Sequence, residues 1–128
     1  MIKMASHAEF RIWQWNCGGI LSKRGTLQQF VRSHSEKPQV ILLQETLSDS
    51  VTLPGYKAHV FKGEGRGIAT LVSSEFTFVT HDLGVRPRKM EISLVEVISS
   101  ASNLSSILIL NIYSSPSDHR QRFKTYHS

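Results

Sequence analysis

The chain has 128 residues, 40% hydrophobic and 20% charged, which suits one globular domain and excludes a disordered or fibrous composition. No apolar run reaches the roughly 18 residues of a membrane span, and the first residues lack the apolar stretch of a signal peptide. Fifteen Lys and Arg against ten Asp and Glu leave a formal charge of +5, which favours a polyanionic partner such as nucleic acid or anionic membrane. Cys17 is the single cysteine, so no internal disulfide is possible, and an intracellular protein is the expectation.

Residues 1–8 read as a leader ahead of the first regular element. From Phe10 to Trp15, apolar bulk falls on both faces (Phe10 and Ile12 on one, Trp13 and Trp15 on the other), as in a strand buried on both sides. Cys17-Gly18-Gly19 ends it. Leu27, Phe30, Val31 and His34 then recur with helical spacing, predicting an amphipathic helix over Arg24 to Ser35, closed off by Pro38. Val40-Ile41-Leu42-Leu43 is a short continuous apolar run, read as a buried strand. Strand, helix and strand joined by short links form a βαβ unit, so the two strands are expected to be parallel.

Five further segments have strand length and β-branched or aromatic content: Tyr56 to Phe61, Gly67 to Val72, Phe76 to Asp82, Glu91 to Ile98, and Ser106 to Tyr113. Glycine and proline punctuate them, as does the stretch Ser99 to Ser106, which argues for an antiparallel meander. Ser114-Ser115-Pro116 leads into a polar segment, Ser117 to about Tyr126, read as a helix. The fold class is therefore α+β. Strands such as Ile107 to Leu110 are apolar on both faces, and the visible helices cover one side of a sheet only. The other side is expected to stay open, a larger apolar face than monomers tolerate, which points to an incomplete domain over residues 9–128.

Asn16 directly follows the first strand and Glu45 the second. In neighbouring parallel strands both side chains emerge at the carboxyl edge, where open α/β sheets place their ligand sites. A lone carboxylate beside an amide suits Mg²⁺, which keeps most of its waters; taken singly, each residue also reads as a polar strand end.

Four blocks carry a resemblance: Ile12-Trp13-Gln14-Trp15-Asn16-Cys17-Gly18-Gly19, Val40-Ile41-Leu42-Leu43-Gln44-Glu45-Thr46, Gly65-Arg66-Gly67-Ile68-Ala69-Thr70-Leu71-Val72, and Leu110-Asn111-Ile112-Tyr113-Ser114-Ser115-Pro116. In this order they resemble the first half of the endonuclease/exonuclease/phosphatase (DNase I-like) superfamily, and their wording is most similar to the endonuclease domains of non-LTR (LINE-type) retrotransposons. The resemblance implies a truncated half of a four-layer α/β/β/α sandwich. It implies Glu45 as ligand of a catalytic Mg²⁺, Asn16 beside it orienting a metal-bound water or phosphate oxygen, and Tyr113 reaching the scissile phosphate. The implied activity is hydrolysis of a phosphodiester to nick DNA, in a nuclear parent protein that also carries a reverse transcriptase domain and needs no membrane.

The chain departs from the family in lacking its Gly-Asp-x-Asn motif. Ser117-Asp118-His119 spells the family's later Ser-Asp-His motif but opens the expected polar helix, where Ser117 suits an N-cap and Asp118 the first turn. The isolated chain is accordingly expected to be inactive. Other phosphodiesterases or phosphatases of the superfamily, and a non-catalytic binding module, are the alternatives. Cys17 reads as a buried inert thiol, and Gly63 to Gly67 as a turn before a strand. Arg86, Arg88 and Lys89 form a basic cluster that reads equally as a solvated loop or as one able to meet phosphates, and the six histidines include no pair at the i, i+4 spacing of a zinc site.

Overall fold

The computed structural model describes residues 2–7, 10–63, 65–84, 90–99 and 106–114; for residues 2–7 it describes the backbone alone. Among the described residues, eight strands and one helix form three layers, an α+β arrangement. The helix α1 (Arg24–Arg32) lies against a five-stranded sheet, whose other face meets a three-stranded sheet.

The five-stranded sheet is built around the expected βαβ unit. Strand β2 (Phe10–Asn16) runs parallel to β3 (Val40–Gln44), pairing Ile12 with Val40 and Asn16 with Gln44. Residues 2–7, set apart as a leader by the sequence reading, form β1 (Ile2–His7), antiparallel to β2 at the sheet edge. On the other side of β3, the hairpin of β4 (Tyr56–Phe61) and β5 (Ile68–Ser73) adds antiparallel, giving the order β1-β2-β3-β5-β4.

Strand β3 is buried at all five positions, as its unbroken apolar run requires. Its odd-numbered residues Ile41 and Leu43 face the helix with Trp13, Leu27, Val31, Ala69 and Leu71. Its even-numbered Val40 and Leu42 face the second sheet with Val72, Val95, Val97 and Ile109. Each fully buried side chain of this size contributes about 1.5–3 kcal/mol of apolar burial.

Helix α1 stops at Arg32, short of the Ser35 that the periodicity predicts. The Ser33 N–H still bonds the Gln29 carbonyl at 3.0 Å, but the His34 N–H falls back to the Val31 carbonyl at 3.3 Å, a tightened last turn that ends the helix, while the Ser33 hydroxyl takes up the Phe30 carbonyl at 2.9 Å. His34 still continues the apolar stripe in space, its ring 4.8 Å from Trp13 and 4.8 Å from Phe30.

The remaining strands make the antiparallel meander β6 (Thr77–His81), β7 (Met90–Ile98) and β8 (Ser106–Ser114). The meander forms a second sheet of its own and does not extend the first, so the strands expected in succession divide between two layers. Its inner residues, Glu91, Ser93, Val95 and Val97 on β7, are buried; Ile92, Leu94 and Ile98 point outward. The open apolar face expected on the first sheet is thereby moved outward one layer. Val79, Leu108, Leu110 and Ile112 stand on that outer face, between 45% and 62% exposed.

Candidate functional site

The space between the two sheets changes character along the strands. At one end lie Val40, Leu42, Val72, Val95, Val97 and Ile109. Towards the carboxyl ends of β2, β3 and β8, the same faces carry Gln14, Gln44, Asn111 and Glu91. Gln14 Nε2 donates to Gln44 Oε1 at 3.2 Å, and Gln44 Nε2 donates to Asn111 Oδ1 at 2.8 Å. Asn111 Nδ2 in turn reaches the Ala69 carbonyl at 3.1 Å and the Leu43 carbonyl at 3.4 Å. Buried amides left without partners would be costly, so this chain of bonds fixes β8 over β3 in one register.

Registration at Gln44 and Asn111 sets the next residues along. Glu45 is one position past Gln44, and Tyr113 is two past Asn111, on the same inner face of β8. The Tyr113 hydroxyl donates to Glu45 Oε2, and Asn16 Nδ2 donates to the same oxygen at 3.3 Å. Arg66 Nη1 lies 3.4 Å from the other oxygen, Oε1. The hydrogen bond from Tyr113 is the main reason the Glu45 carboxyl sits below its ordinary range; burial opposes it, and Asn16 and Arg66 add to it. The Tyr113 phenol is pushed up to about 12, first by burial and then by its bond to the Glu45 carboxylate. Glu45 is therefore an ionised carboxylate held at a protein edge by a phenol, an amide and a guanidinium.

The backbone here is unusual. Glu45 has φ 56° and Leu47 φ 54°, left-handed values that cost a non-glycine residue about 1–2 kcal/mol. Hydrogen bonds from both sides hold them. Gly19 N–H donates to the Glu45 carbonyl at 2.7 Å and Ile20 N–H to the Thr46 carbonyl at 3.0 Å. Thr46 N–H donates to the Gly67 carbonyl at 3.1 Å and Leu47 N–H to the Arg66 carbonyl at 2.7 Å. Gly67 itself has φ 96°, and a side chain there would collide with Thr46 Oγ1, so glycine is required on both counts.

Asn16, Glu45 and Tyr113, singled out in the sequence, come together in this cluster. Arg66 joins them and was not singled out; the glycines on either side of it mark a turn, and nothing in the pattern aims it at Glu45. Cys17 is buried, its Sγ 3.4 Å from the Gln44 carbonyl, and burial pushes the thiol up so that it stays protonated. Arg86, Arg88, Lys89, Ser117, Asp118, His119 and the helix expected from Ser117 to Tyr126 lie outside the described residues. A groove lined by Arg11, Gln28, Arg32, Lys37, Tyr56 and Glu75 runs past the opposite end of β2 and shares no residue with the cluster.

Among the described residues no three His, Cys, Asp or Glu side chains gather as a metal cage. The donors that are present are one ionised carboxylate and neighbouring neutral oxygen and amide groups. Glu45 accepts from Tyr113, Asn16 and Arg66, leaving acceptor capacity on a carboxylate with about four lone-pair sites. A hard cation that retains most of its waters fits such a set, whereas Zn²⁺ or Ca²⁺ needs more protein ligands. No family model matches the chain, and no match was found among curated proteins or solved structures.

Proposed function

We propose that the chain carries the metal-binding part of a Mg²⁺-dependent phosphodiesterase site, in a DNase I-like fold of the kind found in non-LTR retrotransposon endonucleases. The observation that carries this reading is the convergence of Asn16, Glu45 and Tyr113 from three strand ends onto one carboxylate. The helix, sheet and sheet layering supports the same reading, as it accounts for three layers of a four-layer sandwich. In that role Glu45 would hold Mg²⁺, with Asn16 beside it. When bound, the cation would supply Lewis-acid polarisation of a phosphoryl oxygen.

The chain's own residues act around that point. Tyr113 keeps its proton well above neutral pH, so in this role it would offer a neutral hydrogen bond to a phosphate oxygen in place of Glu45. Arg66, about half exposed beside Glu45, supplies positive charge where an anionic substrate would arrive. The excess of Lys and Arg over the whole chain favours a polyanion such as DNA. The groups that activate water in the resembling family, its Gly-Asp-x-Asn motif above all, do not occur in this sequence. The 128-residue chain is therefore proposed to bind a cation without turning over substrate. The parent activity is proposed to be nicking of nuclear DNA beside a reverse transcriptase.

Titrating the purified chain with Mn²⁺ as a spectroscopic substitute for Mg²⁺ tests the site, with Glu45→Ala as the control. Binding that disappears in the variant supports the assignment; equal binding in both overturns it. Plasmid nicking by the same samples then tests completeness, since Glu45-dependent nicking would show that the chain holds a working site. For a protein extended by a Gly-Asp-x-Asn half, cleavage of plain duplex in preference to abasic DNA or a phosphodiester lipid separates the endonuclease reading from its relatives.

A further inference from the structure

Glu91, at the start of β7, occupies the inner face that its strand otherwise fills with Ser93, Val95 and Val97. It is 5% exposed, and both its oxygens accept the Gly67 N–H, at 2.9 and 3.1 Å. Among the described residues this backbone group is its hydrogen-bond partner. A carboxylate in such a place costs desolvation that an apolar residue would avoid, so its presence points to work beyond packing.

Its partner shows what that work is. Gly67 receives the Thr46 N–H on its carbonyl, and Arg66 receives the Leu47 N–H. Those bonds hold the segment in which Glu45 and Leu47 take left-handed backbone angles. Glu91 also stands directly opposite Tyr113 in the β7–β8 ladder, so the residue that anchors the turn is registered with the phenol that meets Glu45. Gly65 completes the arrangement: a Cβ there would come within 2.7 Å of the Glu91 carboxyl carbon, so any other residue would have to displace the carboxylate over which the turn closes.

We propose that Glu91 is a positioning residue, which clamps the Arg66–Gly67 turn through the Gly67 amide and so holds Glu45 in its strained left-handed conformation. The cation-binding consequence rests on the reading of Glu45 as a metal ligand, whereas the clamp itself does not.

Amide hydrogen exchange and Mn²⁺ titration on the full chain test it, comparing Glu91→Leu with Glu91→Gln. Leucine removes the acceptor and glutamine keeps one. In Glu91→Leu the Gly67, Thr46 and Leu47 amides should exchange about tenfold faster, the loss of one ordinary hydrogen bond, while Val95 and Ile109 keep their protection. Mn²⁺ affinity should fall by a similar factor, and Glu91→Gln should restore both to within about twofold. Unchanged exchange at Thr46 and Leu47 overturns the proposal, as does acceleration spread evenly over both sheets, which would mark a structural role alone. If Glu91→Leu does not fold, Gly65→Ala presses on the carboxylate from the other side and should loosen the same three amides; normal protection there overturns the clamp. If the unmodified chain binds no Mn²⁺, the ligand role of Glu45 falls, and the exchange data alone decide for or against Glu91.

Discussion

The phenol of Tyr113 donates to Glu45 Oε2, joining the end of β8 to the residue just past β3 although 68 positions separate them in the chain. The bond couples two titrations. It holds the carboxyl below its ordinary range and helps to push the phenol up to about 12. Tyr113→Phe should therefore raise the Glu45 pKa, measurable by following the carboxyl carbon in an NMR titration. An unmoved Glu45 titration would mean that Asn16 and Arg66 suffice to hold it.

The alkaline limb of stability follows from the same phenol and from Tyr56, which is also pushed up to about 12, by burial foremost, and donates to the Pro38 carbonyl at 2.6 Å. Both folded values lie above the unfolded value of 10.0. The native state thus holds protons that the unfolded chain releases, so the stability they confer is intact below pH 10 and is lost as pH rises towards 12. Ultraviolet titration should show two late phenols, one disappearing in Tyr56→Phe and the other in Tyr113→Phe. A phenol that persists unchanged in its own variant's spectrum would refute the assignment.

Acid has the opposite sign. Glu45 ionises more readily folded than unfolded, so its contribution is complete above its ordinary value of 4.5 and is lost as pH falls through the lower folded value. Glu45→Gln should cost about 1.5–3 kcal/mol at neutral pH, the scale of a hydrogen bond to a charged group, and the difference should close in strong acid. Glu96, lowered by its bonds to Ser106 and His81, leaves some acid slope in the variant. Urea unfolding at several pH values measures both limbs; an acid slope unchanged by Glu45→Gln would discount the carboxylate.

Much of this was legible in the sequence, and what was not has physical reasons. Strands β2 to β8 were visible because Gly, Pro and Ser runs separate them, and β3 because nothing polar interrupts it before Gln44. Asn16 and Glu45 could be placed together because parallel neighbours bring their ends to one edge. Strand β1 was missed, since the alternation of Ile2-Lys3-Met4 is too short to mark a strand and breaks at Ala5, and the segment is held at the sheet edge by pairing with β2. The division into two sheets depends on Asn111 meeting Gln44 across 67 positions, a relation no local pattern encodes. In the sequence Glu91 is only the first residue of the Glu91 to Ile98 segment, and only the fold gives it the Gly67 amide.

That amide bridge is most tightly specified at Gly67. Alanine there would have to accept φ 96° and would collide with Thr46 Oγ1. Gly67→Ala should destabilise the protein by about 2 kcal/mol or more, read from the urea midpoint. Gly55 also has a left-handed backbone, φ 86°, but open space around it, so Gly55→Ala carries the backbone cost alone and should be milder. Equal losses in the two variants would remove the steric part of the argument.

The outer face of the second sheet yields the last prediction. Leu108 is 62% exposed, Leu110 49%, Val79 47% and Ile112 45%, grouped on strands whose inner faces are packed. Single exposed apolar residues are ordinary, but a contiguous group on a sheet is a sticky surface. The folded protein should bind a hydrophobic dye at neutral pH while keeping the near-ultraviolet dichroism of its packed Trp13. Leu108→Lys with Leu110→Lys should remove most of the dye signal and change stability by no more than about 0.5 kcal/mol per site, as expected where nothing is buried. Dye binding that survives both substitutions would mean that it reports loosened packing elsewhere, and a large loss of stability would mean that these side chains are covered in the folded protein.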